Sequence, residues 1–149
     1  MKILLDTNIV LDVLMDRMPF ADAAAELFSK VEDGTIIGYL CGTTITTIYY
    51  LAAKEVGASR AQEEIKKLLR LFEVAPVNRH VLESALVIDF NDFEDAVIYE
   101  AACHVGVEAI VTRNQKDFKK SRIPVYSSEE MAKIFKSQAI GYRVAIEQC

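Results

Sequence analysis

Apolar residues along this chain fall into two patterns that alternate: short solid runs, and longer stretches with a helical period. The first solid run, Lys2-Ile3-Leu4-Leu5, stops abruptly at Asp6. Such a run predicts a buried strand. Ile9 to Met15 predicts the start of a helix, interrupted at Asp16-Arg17-Met18-Pro19 because proline suits the first turn of a helix and not its interior. Phe20 to Glu32 predicts a second helix with Ala24, Leu27, Phe28 and Val31 on one face, ended by Asp33-Gly34. Thr35 to Cys41 is rich in strand formers. Gly42-Thr43-Thr44 then predicts a break with capping hydroxyls before a helix from Ile45 to Val56, and Ser59 predicts the N-cap of a helix from Arg60 to Phe72.

The second half repeats the alternation. Glu73 to Val77, with Pro76 near its end, predicts an edge strand. Asn78 predicts the cap of a helix from Arg79 to Ile88, and a further helix runs from Asp92 to His104, closed by Gly106. Ala109 to Thr112 is another solid apolar run, and Ile123 to Tyr126 a brief strand. Ser127 or Ser128 caps a helix from Glu129 to Lys136. Residues 137–149 carry no clear period, so the expected layout is one domain over 1–136 with a C-terminal extension over 137–149. Strands alternating with helices predict an α/β fold, a parallel sheet of about five strands covered on both faces.

Composition narrows the function classes. A chain of 149 residues buries a real core as one domain. Its net charge of −5 argues against a broadly basic nucleic-acid binder but leaves room for a local basic patch. Cys41, Cys103 and Cys149 are odd in number and far apart, with no zinc-ligand spacing, which fits a reducing cytoplasm. The first residues are unlike a signal peptide, and no apolar run is long enough to span a bilayer.

Three groups of oxygen-bearing side chains then change the picture. Asp6-Thr7-Asn8 sits at the carboxyl end of the first strand, where open α/β sheets carry their sites, although a cap or turn role accounts for these residues equally well. Asn91-Asp92-Phe93-Glu94-Asp95 opens a helix. Asn91 with Glu94 forms a pair of the capping-box kind, and acids in a first turn favour the helix dipole. That accounts for Asn91, Asp92 and Glu94 but less well for Asp95, which leads into the small-residue surface Ala96, Val97, Tyr99, Ala101 and Ala102. An acid heading a buried helix is costly unless paired, so Asp95 reads as a site residue. Thr112-Arg113-Asn114-Gln115-Lys116-Asp117 follows the fourth strand, and if that strand lies beside the first, Asn114 and Asp117 stand near Asp6. Taken alone, this segment is a polar loop with a helix cap.

Carboxylates converging without His or Cys make a hard-oxygen site, suited to Mg2+ or Mn2+ and to phosphate chemistry. Arg113, Lys116, Lys119, Lys120 and Arg122 crowd the same region. A solvated loop is the usual account of such a run, and its place beside the acids adds contact with a phosphate backbone as the alternative.

From Lys2 to about Lys136 the chain resembles a PIN-domain protein. The matching segments are Ile3-Leu4-Leu5-Asp6-Thr7-Asn8 with Leu11-Asp12, Phe93-Glu94-Asp95-Ala96, and Ile110 to Phe118; Thr46-Thr47-Ile48-Tyr49-Tyr50-Leu51 is similar to one bacterial branch, the VapC-like toxins. The resemblance implies an α/β/α sandwich and a metal-dependent ribonuclease, in many bacterial members the toxin of a type II toxin–antitoxin pair. It implies Asp6, Asp95 and Asp117 as catalytic and metal-binding acids with Mg2+ or Mn2+. Asn114 matches a polar position of the family, and Asn8, Thr47 and Asp92 are read beside it as polar support. RNA, an antitoxin and a second copy of the chain are the implied partners, with Arg113, Lys116 and Lys119 on the RNA. One position departs from the family pattern: Thr47 stands where an acid is usual, and Asp92 or Glu94 would have to supply the missing charge. Two other readings follow, a PIN-fold module that binds RNA or protein with little catalysis, and, ranked below it, a phosphotransfer enzyme. The second lacks the Asp-x-Asp pair that its phosphatase relatives use at this strand end.

Overall fold

The computed structural model describes the backbone of residues 1–147 and the side chains through residue 137. The elements are β1 (Lys2–Leu5), α1 (Thr7–Leu14), α2 (Ala21–Glu32), β2 (Ile37–Cys41), α3 (Gly42–Val56), α4 (Ala58–Leu71), β3 (Glu73–Ala75), α5 (Arg79–Val87), α6 (Phe93–Val105), β4 (Ala109–Val111), a 3-10 turn (Gln115–Phe118), β5 (Val125–Tyr126) and α7 (Ser128–Glu147). The five strands form one sheet in the order β3-β2-β1-β4-β5, with every neighbouring pair parallel. This is the expected α/β/α sandwich with a central parallel sheet.

Side chains alternate across the sheet, and that alternation splits the core. From β1, Ile3 and Leu5 face one layer, where they join Ile9 and Val10 of α1, Leu27 of α2, Ile48 of α3, Leu68 of α4, and Met131 and Phe135 of α7. Leu4 faces the other layer with Ile110 of β4, Val81 and Ala85 of α5, and the small face of α6 from Ala96 to Ala102. Both faces are covered, which is why β1 and β4 read as solid apolar runs and not as alternating ones. Gly38 of β2 accepts no side chain: a Cβ there would lie 2.7 Å from the Phe72 ring and 2.8 Å from a Val31 methyl.

Several boundaries differ from those expected. There is no break at Gly42-Thr43-Thr44: α3 begins directly after β2, because the hydroxyls find partners that the helix allows. Thr46 Oγ1 donates to the Thr43 carbonyl at 2.9 Å, and Thr44 Oγ1 lies 2.9 Å from Thr7 Oγ1. Ser59 is not a cap; Gly57, at φ 87°, turns the chain so sharply after α3 that α4 starts at Ala58. Asp92, not Asn91, caps α6, accepting the Asp95 N–H at 3.0 Å. Ser127 and Glu130 form the reciprocal cap of α7, and this helix continues to Glu147 through the stretch where no period is legible. Residues 148 and 149 lie outside the described residues.

Strand order places the site. The chain winds from β1 outward to β2 and β3, then returns to the other side of β1 for β4. The switch therefore falls between β1 and β4, and ligands of open α/β sheets bind in the crevice at the carboxyl ends of the strands at such a point. Leu5 pairs with Val111 in register, so Asp6 and Thr112 leave the sheet side by side.

Candidate metal centre

Asp6 is both a cap and a buried acid. It is 5% exposed. Its Oδ1 accepts the Thr7 N–H at 2.8 Å, capping α1, and its Oδ2 accepts the Thr112 hydroxyl at 2.7 Å. Burial pushes the Asp6 carboxyl above its ordinary value; the bonds from Thr112 and Thr7 pull it back, and the charge of Asp117 raises it further. Thr112 is fully buried, and its oxygen also accepts the Asn114 N–H at 3.0 Å. Asn8 Oδ1 accepts the Arg113 N–H at 3.3 Å, so α1 grips the turn after β4 directly.

Asp95, half-buried in the first turn of α6, is pushed up to about 7. Burial is the first cause, followed by the charges of Asp6, Asp92, Asp117 and Glu94. Its place at a helix N-terminus works in the opposite direction and is outweighed. The three acids singled out from the sequence thus act on one another across three separate segments of the chain. Asp117 is exposed on the 3-10 turn, where its N–H donates to the Asn114 carbonyl at 2.9 Å. Asp92 spends an oxygen on its capping bond. Thr47 is half-buried on α3, one turn beyond Thr44.

The basic residues separate. Arg113 was expected on RNA, but its guanidinium turns inward: Nε lies 3.2 Å from Asp12 Oδ2 and the group sits 4.2 Å from the centre of the Phe20 ring. Lys120 pairs with Asp89. Lys116 and Lys119 are exposed and, among the described residues, pair with no carboxylate. They line a small polar hollow with Asp117, Asp89 and Asn91, which puts their charge beside the acids.

The residue types and order match a known pattern. Residues 2–116 match the sequence profile of the PIN domain. The chain belongs to the PIN-domain family. This PIN domain is 25% identical over 134 residues to ribonuclease VapC1 of Aquifex aeolicus (strain VF5), covering 87% of this chain and 92% of that one. Its fold is similar to a toxin–antitoxin complex from Klebsiella pneumoniae, with TM-score 0.65, 21% identity, and coverage of 84% of this chain and 96% of that chain. It is also similar to VapBC-1 from nontypeable Haemophilus influenzae, with TM-score 0.64, 15% identity, and coverage of 87% and 99%.

The donor set of this PIN domain suits a hard divalent cation. Asp6, Asp95 and Asp117 offer only oxygen, and among the described residues no Lys or Arg forms an ion pair with any of them. Among the described residues no group of three or more acid, His or Cys side chains lies close enough together to hold one metal ion. Mg2+ keeps several waters and takes only one or two carboxylates directly, so it does not require all three acids at once. Thr112 was the residue missed from the sequence. A hydroxyl ending a solid apolar strand was its only signal, and its partner lies 106 positions away. Among the described residues no helix is long and apolar enough to cross a membrane.

Proposed function

We propose that this PIN domain is a Mg2+- or Mn2+-dependent endoribonuclease. The observation that carries the reading is Asp6, a 5% exposed carboxylate with no Lys or Arg paired to it among the described residues, at the switch point of a parallel sheet, with Asp95 and Asp117 near enough for their charges to act on it and on each other. Carboxylates assembled against their own repulsion await a cation. Asp6, Asp95 and Asp117 would hold it, with Asn8, Asn114 and Thr47 as neutral support and Asp92 at the rim. A cation of this kind supplies an activated water and neutralises charge on the phosphodiester. Thr112 fixes Asp6 by its hydroxyl bond, and Thr7 fixes the other oxygen. Lys116 and Lys119 hold the RNA backbone. The name of the Aquifex relative supports the nuclease reading.

The test is cleavage of RNA by purified protein with Mn2+, beside Asp6→Asn. Cleavage that requires Mn2+ and is lost in Asp6→Asn is the expected result; no cleavage, or equal cleavage by the variant, rejects the reading. A second reading draws on Thr47 in place of an acid: a module that binds RNA with little catalysis. Calorimetry separates the two, since a module that binds RNA without taking up millimolar Mn2+ belongs to the second.

The likeness to toxin–antitoxin complexes supports a protein partner of the antitoxin kind. A groove of roughly 350 Å3 between α1 and the α3–α4 pair, lined by Leu11, Leu14, Met15, Leu51 and Val56 together with Glu55, Arg60 and Glu64, is the mixed face such a partner would cover. Co-purification of a small protein encoded beside this chain, lost in Leu51→Glu, tests it.

A further inference from the structure

Asp12 is the one charged side chain that is fully buried among the described residues, and nothing in the reaction above uses it. It sits on α1, six positions after Asp6, among Val10, Leu11 and Val13. Its partner is Arg113, the residue that follows Thr112. Arg113 is held at three points: its N–H by Asn8 Oδ1, its guanidinium by Asp12, and the face of that group by Phe20. Asn8 and Asp12 stand one turn apart on α1, the helix that Asp6 caps.

This pair is a poor investment in stability. The Arg113 Nε–H is not aimed at the carboxylate, and among the described residues neither Asp12 carboxylate oxygen accepts a hydrogen bond. Burying a carboxylate on those terms offsets most or all of the attraction gained, and an apolar residue of similar volume is commonly as good or better. What the pair does supply is position. Arg113 lies between Thr112, whose hydroxyl meets Asp6, and the turn that carries Asn114 and Asp117. Thr112 Oγ1 accepts the Asn114 N–H, so a shift of Arg113 is passed to both neighbours.

We propose that Asp12 is a positioning residue: by anchoring Arg113 to α1 it fixes the turn after β4, so that Thr112 meets Asp6 and Asp117 faces the same acids. The role rests on the metal-site reading for its consequence in function, but its mechanical part stands in the metal-free protein. It also turns Arg113 from an RNA contact into an internal anchor.

The experiment compares wild type, Asp12→Asn, and the double variant Asp12→Leu with Arg113→Met. Three quantities are read: hydrogen exchange at the Arg113, Asn114 and Asp117 amides without metal, the Mn2+ dissociation constant, and the melting temperature. In Asp12→Asn, exchange at these amides rises by about tenfold and Mn2+ binding weakens by about the same factor, while KM for RNA stays within about twofold. The double variant, free of an unpaired buried charge, regains the melting temperature but neither the amide protection nor the Mn2+ affinity. Should Asp12→Asn fail to fold, the double variant alone decides. Unchanged exchange at the three amides overturns the proposal, as does a double variant that recovers Mn2+ affinity together with stability. A wild-type protein that neither binds Mn2+ nor cuts RNA rejects the nuclease reading, and the amide exchange still decides whether Asp12 positions the turn.

Discussion

The Thr112 hydroxyl donates a 2.7 Å hydrogen bond to Asp6, joining the residues that follow two adjacent parallel strands. The bond is fully buried at the Thr112 end, and the same oxygen receives the Asn114 N–H. Replacing Thr112 with Val keeps the shape and removes both bonds, along with a longer one at 3.5 Å from the Asn8 side-chain amide. The buried Asp6 oxygen left without its partner costs about 1–3 kcal/mol. We expect Thr112→Val to lower the unfolding free energy from urea denaturation by that amount and to weaken Mn2+-dependent cleavage, and Thr112→Ser to keep most of both. A Thr112→Val protein as active and stable as wild type would show that Asp6 needs no such partner.

The Asp95 carboxyl gives a pH signature. Its ordinary value is 3.8 and in the folded chain it is pushed up to about 7, by burial first and then by the acids around it. The folded state therefore holds this proton more tightly than the unfolded chain. The stability linked to it is fully present below 3.8 and is lost as pH rises through about 7. Asp95→Asn removes the penalty. The melting temperature of metal-free Asp95→Asn minus that of wild type should grow between about pH 4 and about pH 8 and shrink when Mn2+ is added. A difference that stays flat across that range contradicts the crowding of acids at this site.

Much of the sheet was legible because β1 and β4 are covered on both faces, so each is a solid apolar run. Asp6 was open between cap and site; in the fold one of its oxygens caps α1 and the other accepts the Thr112 hydroxyl. The small-residue face behind Asp95 set it apart in the sequence, and in the fold it is half-buried with the charges of Asp6, Asp92 and Asp117 acting on it. The Thr112 bond and the Asp12–Arg113 pair were not, since both depend on the register that sets Leu5 against Val111, and register is not carried by either segment alone. The helix starts at Gly42 and Ala58 were hidden for a local reason: hydroxyl-rich and glycine-led first turns look like loops until their partners are in place.

Lys116 and Lys119, exposed beside Asp117, should carry the electrostatic part of RNA binding. Lys116→Glu or Lys119→Glu is expected to weaken binding to RNA of any sequence. The slope of log affinity against log salt should fall by about 0.7 for each single-strand phosphate contact removed. Lys120→Glu should do less, because Lys120 already pairs with Asp89. Filter binding over a salt series measures all three, and equal slopes for wild type and both single variants would place the RNA elsewhere.

Thr47 is where charge can be added instead of removed. It is half-buried on α3, one turn beyond Thr44, whose hydroxyl lies 2.9 Å from that of Thr7 beside Asp6. A glutamate at this position would add a fourth carboxylate to a set that already repels. In the metal-free protein Thr47→Glu should therefore lower the melting temperature, since the new charge meets Asp6 and Asp95 without a partner. With Mn2+ the sign reverses: the extra oxygen ligand should tighten the dissociation constant by about tenfold, and saturating Mn2+ should restore the melting temperature to wild type or above. Both arms are needed. A drop in stability that Mn2+ does not repair means the acid has been buried away from the site. Unchanged stability and unchanged affinity mean that this face of α3 points to solvent, and then the missing charge at Thr47 has no bearing on how the acids around Asp6 hold a cation.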